Sequence, residues 1–257
     1  MNQHFSNRFL LVLIIALTVA ACNQSDKTAE TKATDSTTTA KMEATPTDAV
    51  MDAVKVAPNL YKVLADTMGI EILDVTYNPG DSSAMHSHPD YAIYVLEGGS
   101  AAFYGKDGKK MDVEMKTGTI MIKPAEVHSV KNTGKTPIKV ILFEVNRPNG
   151  TMTWDVAKDA TKVAPNEYKV AADTMGIRVL QISYKPGESS AMHSHPDQAL
   201  YVTEGSKGEF TDKDGKKMVM EFSKGMAMVM PGATHSVKNV GTTPMKAILV
   251  EVSRPAK

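Results

Sequence analysis

Short apolar runs separated by short polar stretches recur from about residue 56 to the end of the chain. Ile70–Tyr77 and residues 139–145 are two of these runs, and both are rich in the β-branched and aromatic residues that favour strands. Neither half of this region contains the 3.6-residue apolar period of an amphipathic helix. The pattern therefore predicts an all-β fold made of many short antiparallel strands.

Glycine-containing turn signals separate the runs. Pro79-Gly80 and Pro186-Gly187 fit the central positions of a type II turn, in which glycine supplies the positive φ. Asp107-Gly108 and Asp214-Gly215 fit two-residue hairpin loops. Short strands joined by such turns are typical of a β-sandwich or a β-barrel.

The chain contains an internal repeat. Residues 56–148 align with residues 163–255 without a gap, and about 57 of the 93 aligned positions are identical. We therefore predict a tandem duplication with domains at 56–148 and 163–257. Residues 149–162 form the predicted linker, and its Trp154, the only tryptophan of the chain, is expected to pack between the domains.

The N-terminal region differs in composition. Arg8 precedes an apolar run at residues 9–17 and small residues that lead to Cys22, which predicts a secretory signal peptide at 1–21. The apolar run is short for a membrane span. Residues 22–55 consist mainly of threonine, alanine, lysine and acidic residues without an aromatic side chain, and this composition predicts a disordered tether.

The residues around the predicted cleavage site resemble a lipobox. Val19-Ala20-Ala21-Cys22 is similar to the motif of bacterial lipoproteins, and this resemblance implies cleavage before Cys22 and lipidation of its thiol. The alternative is a plain signal peptide with an incidental cysteine. Asn23 follows the cysteine where an aspartate would favour inner-membrane retention, so we expect a lipid anchor in the outer membrane that faces the periplasm.

Charge and cysteine content exclude several functions. Lysine plus arginine and aspartate plus glutamate each number 29, so the formal net charge is zero. Such a balance favours neither nucleic acid nor electrostatic binding to a membrane surface. A single cysteine excludes an intramolecular disulfide and a thiolate metal cluster.

The histidines are unevenly distributed. Of the seven, all except His4 fall into two triads, one in each repeat: His86, His88 and His128, and His193, His195 and His235. Histidines at i and i+2 on an extended segment point to the same face. Each triad thus predicts a site for a divalent metal, with iron, zinc, nickel, copper and manganese as candidates. The alternative is a metal-free pocket whose histidines were copied by the duplication.

The same residues fit two motifs of the cupin superfamily. The first motif places a glycine before His-x-His, as Gly80 and Gly187 do here. The second places a glycine, a proline, a histidine and an asparagine in order: Gly118, Pro124, His128 and Asn132, and again Gly225, Pro231, His235 and Asn239. Both repeats therefore resemble cupins, which implies a jelly-roll β-barrel in each, with any metal inside. Two such domains make a bicupin.

One element of the cupin pattern is missing. The metal-ligating glutamate of the family would fall at Ala92 or Ile93, and at Ala199 or Leu200 in the second copy. This departure argues against the oxalate chemistry of better-known bicupins. Thiol and diketone dioxygenases are cupins that hold ferrous iron with three histidines. The resemblance of the triads to this ligand set implies an oxygen-activating or Lewis-acid centre for a small organic substrate.

Two further pairs of residues lie near the triads. Asp90 and Asp197 follow the His-x-His segments and are candidates for orienting a histidine ring, or for a turn beside the preceding proline. Tyr94 and Tyr201 would be acid or substrate contacts if their strand face is interior, and core residues otherwise.

The sequence therefore supports three hypotheses. The first is a metal-dependent bicupin enzyme. The second is a non-catalytic envelope module that captures a small ligand or a metal. The third is a pair of degenerate barrels that mediates protein contacts.

Overall fold

The computed structural model describes residues 51–256, which form two β-barrels, one from each repeat. The all-β prediction is confirmed. The predicted signal peptide, Cys22 and the tether as far as residue 50 lie outside the described residues. Within the described range, no helix is long and apolar enough to cross a membrane.

The first barrel begins with one helical turn and continues as nine strands: α1 (Ala53–Val56), β1 (Tyr61–Thr67), β2 (Ile70–Tyr77), β3 (His86–His88), β4 (Asp90–Glu97), β5 (Gly99–Gly105), β6 (Lys110–Met115), β7 (Ile120–Lys123), β8 (Glu126–Asn132) and β9 (Ile138–Val145).

A 3₁₀ turn at Val156–Lys158 precedes the second barrel, which repeats this order: α2 (Ala160–Val163), β10 (Tyr168–Thr174), β11 (Ile177–Tyr184), β12 (His193–His195), β13 (Asp197–Glu204), β14 (Ser206–Asp212), β15 (Lys217–Phe222), β16 (Ala227–Met230), β17 (Ala233–Asn239) and β18 (Met245–Val252).

Each barrel consists of two antiparallel sheets that face each other. In the first barrel the strand orders are β1-β2-β9-β4-β7 and β3-β8-β5-β6, and in the second they are β10-β11-β18-β13-β16 and β12-β17-β14-β15. The short strands β3 and β12, which carry the His-x-His segments, lie at the edge of the smaller sheet.

The larger sheets are apolar on both faces. On β9, Val140 and Leu142 point into the first barrel, whereas Ile141 and Phe143 pack against the second barrel. The same cluster between the barrels includes Val250 of β18. Because apolar burial is the main stabilising contribution, this shared core joins the two barrels into one compact unit.

Two reciprocal ion pairs flank the shared core. Arg147 donates to Asp197 at 2.9 Å, and Arg254 donates to Asp90 at 2.8 Å. Each arginine also donates to the backbone carbonyl of the other. The guanidinium groups are buried, so the partner carboxylates compensate charges that would otherwise be costly.

The turn predictions have mixed outcomes. Gly80 and Gly187 have φ values of 88° and 82°, and hydrogen bonds close both turns, which confirms type II geometry. The prediction of two-residue hairpin loops at Asp107-Gly108 and Asp214-Gly215 is wrong. Residues 106–109 and 213–216 form longer loops, in which the amide of Gly105 or Asp212 still pairs with the carbonyl on the far side of the loop.

The domain boundaries also differ from the expectation. Asp52 bridges to Ser87 and caps α1, and Ala53 is buried in the first barrel core, so this barrel begins before residue 56. Ala160 has the equivalent place in the second barrel, within the predicted linker. Trp154 stacks on Arg178 of β11, with the guanidinium carbon 5.5 Å from the ring centroid.

Candidate metal centres

Strand pairing gathers the first triad. His86 and His88 lie on the same face of β3, and the register of β3 with β8 sets His86 directly opposite His128. The three ring centroids are 4.8 to 5.1 Å apart. The smaller sheet therefore brings together residues that are about forty positions apart in the sequence.

The second triad has the same geometry. His193 lies opposite His235 across the pairing of β12 with β17, and the ring centroids of the triad are 4.8 to 5.4 Å apart. In each triad, one ligand atom per residue can be chosen so that all three atoms lie within 4.8 Å of one another.

Hydrogen bonds fix which ring nitrogen faces the centre of each triad. Nδ1 of His86 donates to the carbonyl of Ala84 at 2.7 Å, and Nδ1 of His193 donates to the carbonyl of Ala191 at 2.7 Å. When Nδ1 is used in this way, Nε2 is left with a free lone pair. This is the nitrogen that a metal would take.

Burial favours the neutral form of four of these imidazoles. Desolvation lowers the pKa of His86, His88 and His193 to about 4, and that of His235 to about 3. Metal ions bind the neutral form of histidine, so these groups are ready to act as ligands at neutral pH without losing a proton.

Two glutamates that the sequence analysis missed orient the rings of the second histidines. Oε1 of Glu144 on β9 lies 2.5 Å from Nδ1 of His88, and Oε1 of Glu251 on β18 lies 2.5 Å from Nδ1 of His195. All four side chains are almost fully buried. The available signal was an acidic residue inside an otherwise apolar strand, because a buried carboxylate needs a partner.

The ring-orienting role predicted for Asp90 and Asp197 is therefore wrong. Beyond the proline, the chain turns into the larger sheet and carries both carboxylates to the boundary between the barrels. There they accept hydrogen bonds from Arg254 and Arg147, and from the backbone amides of Ala125 and Gly232.

The catalytic role considered for Tyr94 and Tyr201 is also wrong, because their strand face is not interior. Both pack in the cluster between the barrels. The position three residues earlier points inward and carries Tyr91 in the first barrel and Gln198 in the second. The tyrosines beside the histidines are instead Tyr61 and its counterpart Tyr168.

The two centres differ at the first histidine. In the first barrel the hydroxyl of Tyr61 lies 3.0 Å from Nε2 of His86. In both barrels this tyrosine also hydrogen-bonds a second tyrosine, Tyr77 or Tyr184. In the second barrel, however, the buried Nε2 of His193 has no hydrogen-bond partner among the described residues. An unpaired buried nitrogen is costly, and a metal ion at this triad would satisfy it. The donor set therefore fits a divalent metal.

The surroundings of the orienting glutamates differ as well. Arg178 donates to Glu251 at 2.6 Å and to Asp159 at 2.7 Å. In the first barrel the position of Arg178 is Glu71, so Glu71 and Glu144 crowd together with Asp52, with ligand atoms within 4.8 Å. Burial and the neighbouring carboxylates raise the pKa of Glu144 to about 8 and that of Glu71 to about 7.

Apolar side chains stand where the family's carboxylate ligand would be. Ile93 on β4 and Leu200 on β13 point toward the barrel interior. Ala92 and Ala199, the other permitted positions, face the opposite barrel. Each triad therefore remains a three-nitrogen set.

Fold and sites together define a protein of two jelly-roll barrels with a buried histidine cluster in each. A sequence model of the cupin domain matches residues 73–144 and again 180–251, more than half of the chain. The chain therefore belongs to the cupin domain family. No curated protein matches it.

Solved structures share this architecture. Oxalate decarboxylase from Bacillus subtilis, a protein with Mn(II) centres, is 15% identical with a TM-score of 0.52, and the similarity covers 74% of this chain and 70% of that one. A cupin 2 conserved barrel domain protein from Leptotrichia buccalis is 15% identical with a TM-score of 0.45, over 75% of this chain and 88% of that one. At 15% identity, the similarity to oxalate decarboxylase demonstrates a shared fold alone.

The orienting role of Glu251 can be tested by substitution, with Asp197 as the control position. In a chain that lacks the first triad, Glu251→Gln is expected to weaken zinc binding on the order of 10- to 100-fold, because loss of the carboxylate makes the His195 ring a weaker and less well-oriented donor. Competition with a chromophoric chelator gives the affinity. Asp197→Asn is the matched control and is expected to leave the affinity unchanged. Equal effects of the two substitutions would contradict the assignment.

Proposed function

We propose that this bicupin binds a divalent metal through the histidine triads and acts on a small organic substrate inside the barrel. The observation that carries the proposal is the buried second triad, in which Nε2 of His193 is left without a partner. Iron, zinc, nickel, copper and manganese all accept imidazole ligands. Manganese is included among the metals to be tested because a solved structure of similar fold has Mn(II) centres.

A metal held by three neutral nitrogens supplies a Lewis acid or an oxygen-activating centre, with coordination positions left for substrate. The protein residues have separate tasks. Glu251 holds the His195 ring through Nδ1, and Arg178 in turn holds Glu251. Leu200 and the other apolar walls line the space beside the centre, where substrate would bind. Oxalate-type chemistry has less support, since the family's carboxylate ligand is replaced by leucine.

A non-catalytic role is the second candidate, in which the barrel captures a small ligand without converting it. It is favoured by the apolar surroundings of both triads, where Ile93 and Leu200 replace a carboxylate. Oxygen consumption by iron-loaded protein, measured with panels of thiols and diketones, separates the two. Consumption supports the dioxygenase-like enzyme, whereas bound ligand recovered unchanged supports capture.

Metal content tests the proposal. The unit Pro46–Lys257, purified without a histidine tag and loaded with metal, is expected to hold about two equivalents per chain by elemental analysis, one for each three-histidine set. Replacing His193, His195 and His235 with alanine is expected to leave about one. The double variant Tyr94→Phe, Tyr201→Phe is the control and should retain both equivalents. Protein that takes up none of the five metals would refute the metal site.

We further propose that the protein is a lipoprotein of the cell envelope, anchored through Cys22 and directed to the outer membrane with the barrels in the periplasm. The lipobox-like sequence before Cys22 and the composition of residues 23–50 support this proposal. A tether of this kind would hold the barrels away from the bilayer while leaving them free to receive small molecules.

Substitution of the cysteine tests the anchor. Cys22→Ser is expected to abolish incorporation of labelled palmitate and to shift the protein from the membrane fraction to the soluble fraction, because serine offers no thiol for the lipid. Cleavage at a plain signal peptide would instead leave an unlipidated protein in both forms. Labelling that persists in the variant would also contradict the anchor.

A further inference from the structure

The two barrels differ in the space beside their histidines. A cavity of about 410 Å³ in the second barrel is bounded on one side by His195 and His235. The corresponding space beside His88 and His128 in the first barrel is about 50 Å³. The larger volume is typical of a small-molecule site, whereas the smaller one holds little more than a water molecule or two.

Substitutions between the repeats explain part of this difference. Val140 in the first barrel corresponds to Ala247 in the second, and both line the interior. Ala101 corresponds to Gly208, but the rings of Phe222 and Phe210 already occupy the place of the missing methyl, since an added Cβ would lie 3.1 to 3.2 Å from them. The exchange of valine for alanine at position 247 therefore removes side-chain volume from the cavity wall, whereas the glycine makes room for the phenyl rings.

A polar cluster fills one end of the first barrel and is absent from the second. The Tyr91 hydroxyl donates to Glu126, which also accepts from Lys123 at 2.7 Å. The residues at the same positions in the second barrel are Gln198, Ala233 and Met230, and all three line the cavity. The two barrels thus share the histidines but differ at one end of the barrel. This end is closed by charged residues in the first barrel and is open and apolar in the second.

The residues that line the cavity indicate which class of ligand it can bind. Five of the lining residues are methionines: Met218, Met220, Met228, Met230 and Met245. Methionine is flexible and polarisable, so such a wall adapts to apolar ligands of different shapes. The lysines at the rim are solvent-accessible, and Lys246 already pairs with Glu204. No fully buried cation stands among the lining residues to receive a polyanion.

We propose that the second barrel binds a mainly apolar small molecule whose single oxygen-bearing end reaches His195 and His235, and that the first barrel does not bind it. The claim that this molecule is the substrate rests on the proposed function. The claim that it binds does not, because the apolar walls can bind it without a metal. The two barrels would then share the metal chemistry but not the ligand.

Binding of N-phenyl-1-naphthylamine tests the cavity. This neutral probe fluoresces in apolar surroundings and contains no carboxylate. Metal-free Pro46–Lys257 is expected to bind about one probe molecule per chain, in the apolar cavity beside His195 and His235, because the space beside the first triad is too small and the larger pocket lined by Asn59, Asp74 and Asp81 is mainly polar. Absence of binding, or about two equivalent sites, would overturn the proposal even if both triads take up metal.

Variants locate the bound probe. The triple variant Gln198→Tyr, Met230→Lys, Ala233→Glu gives the second barrel the closed end of the first, and Ala247→Phe fills the cavity directly. Each is expected to weaken probe binding on the order of tenfold or more. Val240→Ala removes an exposed apolar residue outside the cavity and is expected to change nothing.

Thermal unfolding and zinc uptake report whether each variant is folded. Should the triple variant fail to fold, Ala247→Phe carries the test. Unchanged probe affinity in a folded cavity variant, or loss of affinity in Val240→Ala, would refute binding in this cavity.

Competition identifies the chemical class. Octanoate, an apolar chain with one carboxylate, is expected to displace the probe, and to do so at lower concentration when zinc is bound. Oxalate, a small polar diacid, is expected to displace nothing. Displacement by oxalate, or failure of octanoate to compete in zinc-loaded protein, would overturn the substrate class while leaving the metal proposal intact.

Discussion

A hydrogen bond between a buried histidine and a buried glutamate, formed once in each barrel, is the interaction on which the candidate centres depend. Glu144 and Glu251 are the inward-facing polar residues of β9 and β18, whose other inward side chains build the core. A buried carboxylate without a partner is strongly destabilising, and a histidine ring without a fixed partner can rotate. The pairing therefore serves both the stability of the fold and the direction of the ligand nitrogen.

Much of the fold and the histidine sets could be predicted from the sequence, because each depends on local spacing. His-x-His on a strand fixes one face, and the glycine before it needs positive φ. The remaining residues depend on long-range register. Glu144 appears as an interruption in an apolar strand until its face is known. Tyr94 could not be assigned, because β4 is apolar on both faces and alternation alone cannot distinguish the barrel interior from the contact between barrels.

Asp90 shows that nearness in sequence can also suggest a contact that the fold does not make. It is close to His88 in sequence, and this nearness suggested a contact. The strand that begins at Asp90 belongs to the other sheet, however, and its carboxylate pairs with an arginine 164 residues away. The duplication explains why such errors come in pairs. It also offers an internal comparison, since residues around the histidines are kept while those at Tyr91, Glu126 and Lys123 are exchanged in the second copy.

The central claim is that the histidine triads form buried metal centres, and X-ray absorption at the zinc edge of the loaded protein tests it most directly. We expect a first shell that contains three imidazole nitrogens at about 2.0–2.1 Å, with the outer-shell scattering of the rings. Loss of the second triad should lower the zinc content without changing this shell. A first shell made of oxygen atoms alone would contradict the account, because the metal would then be bound elsewhere on the protein.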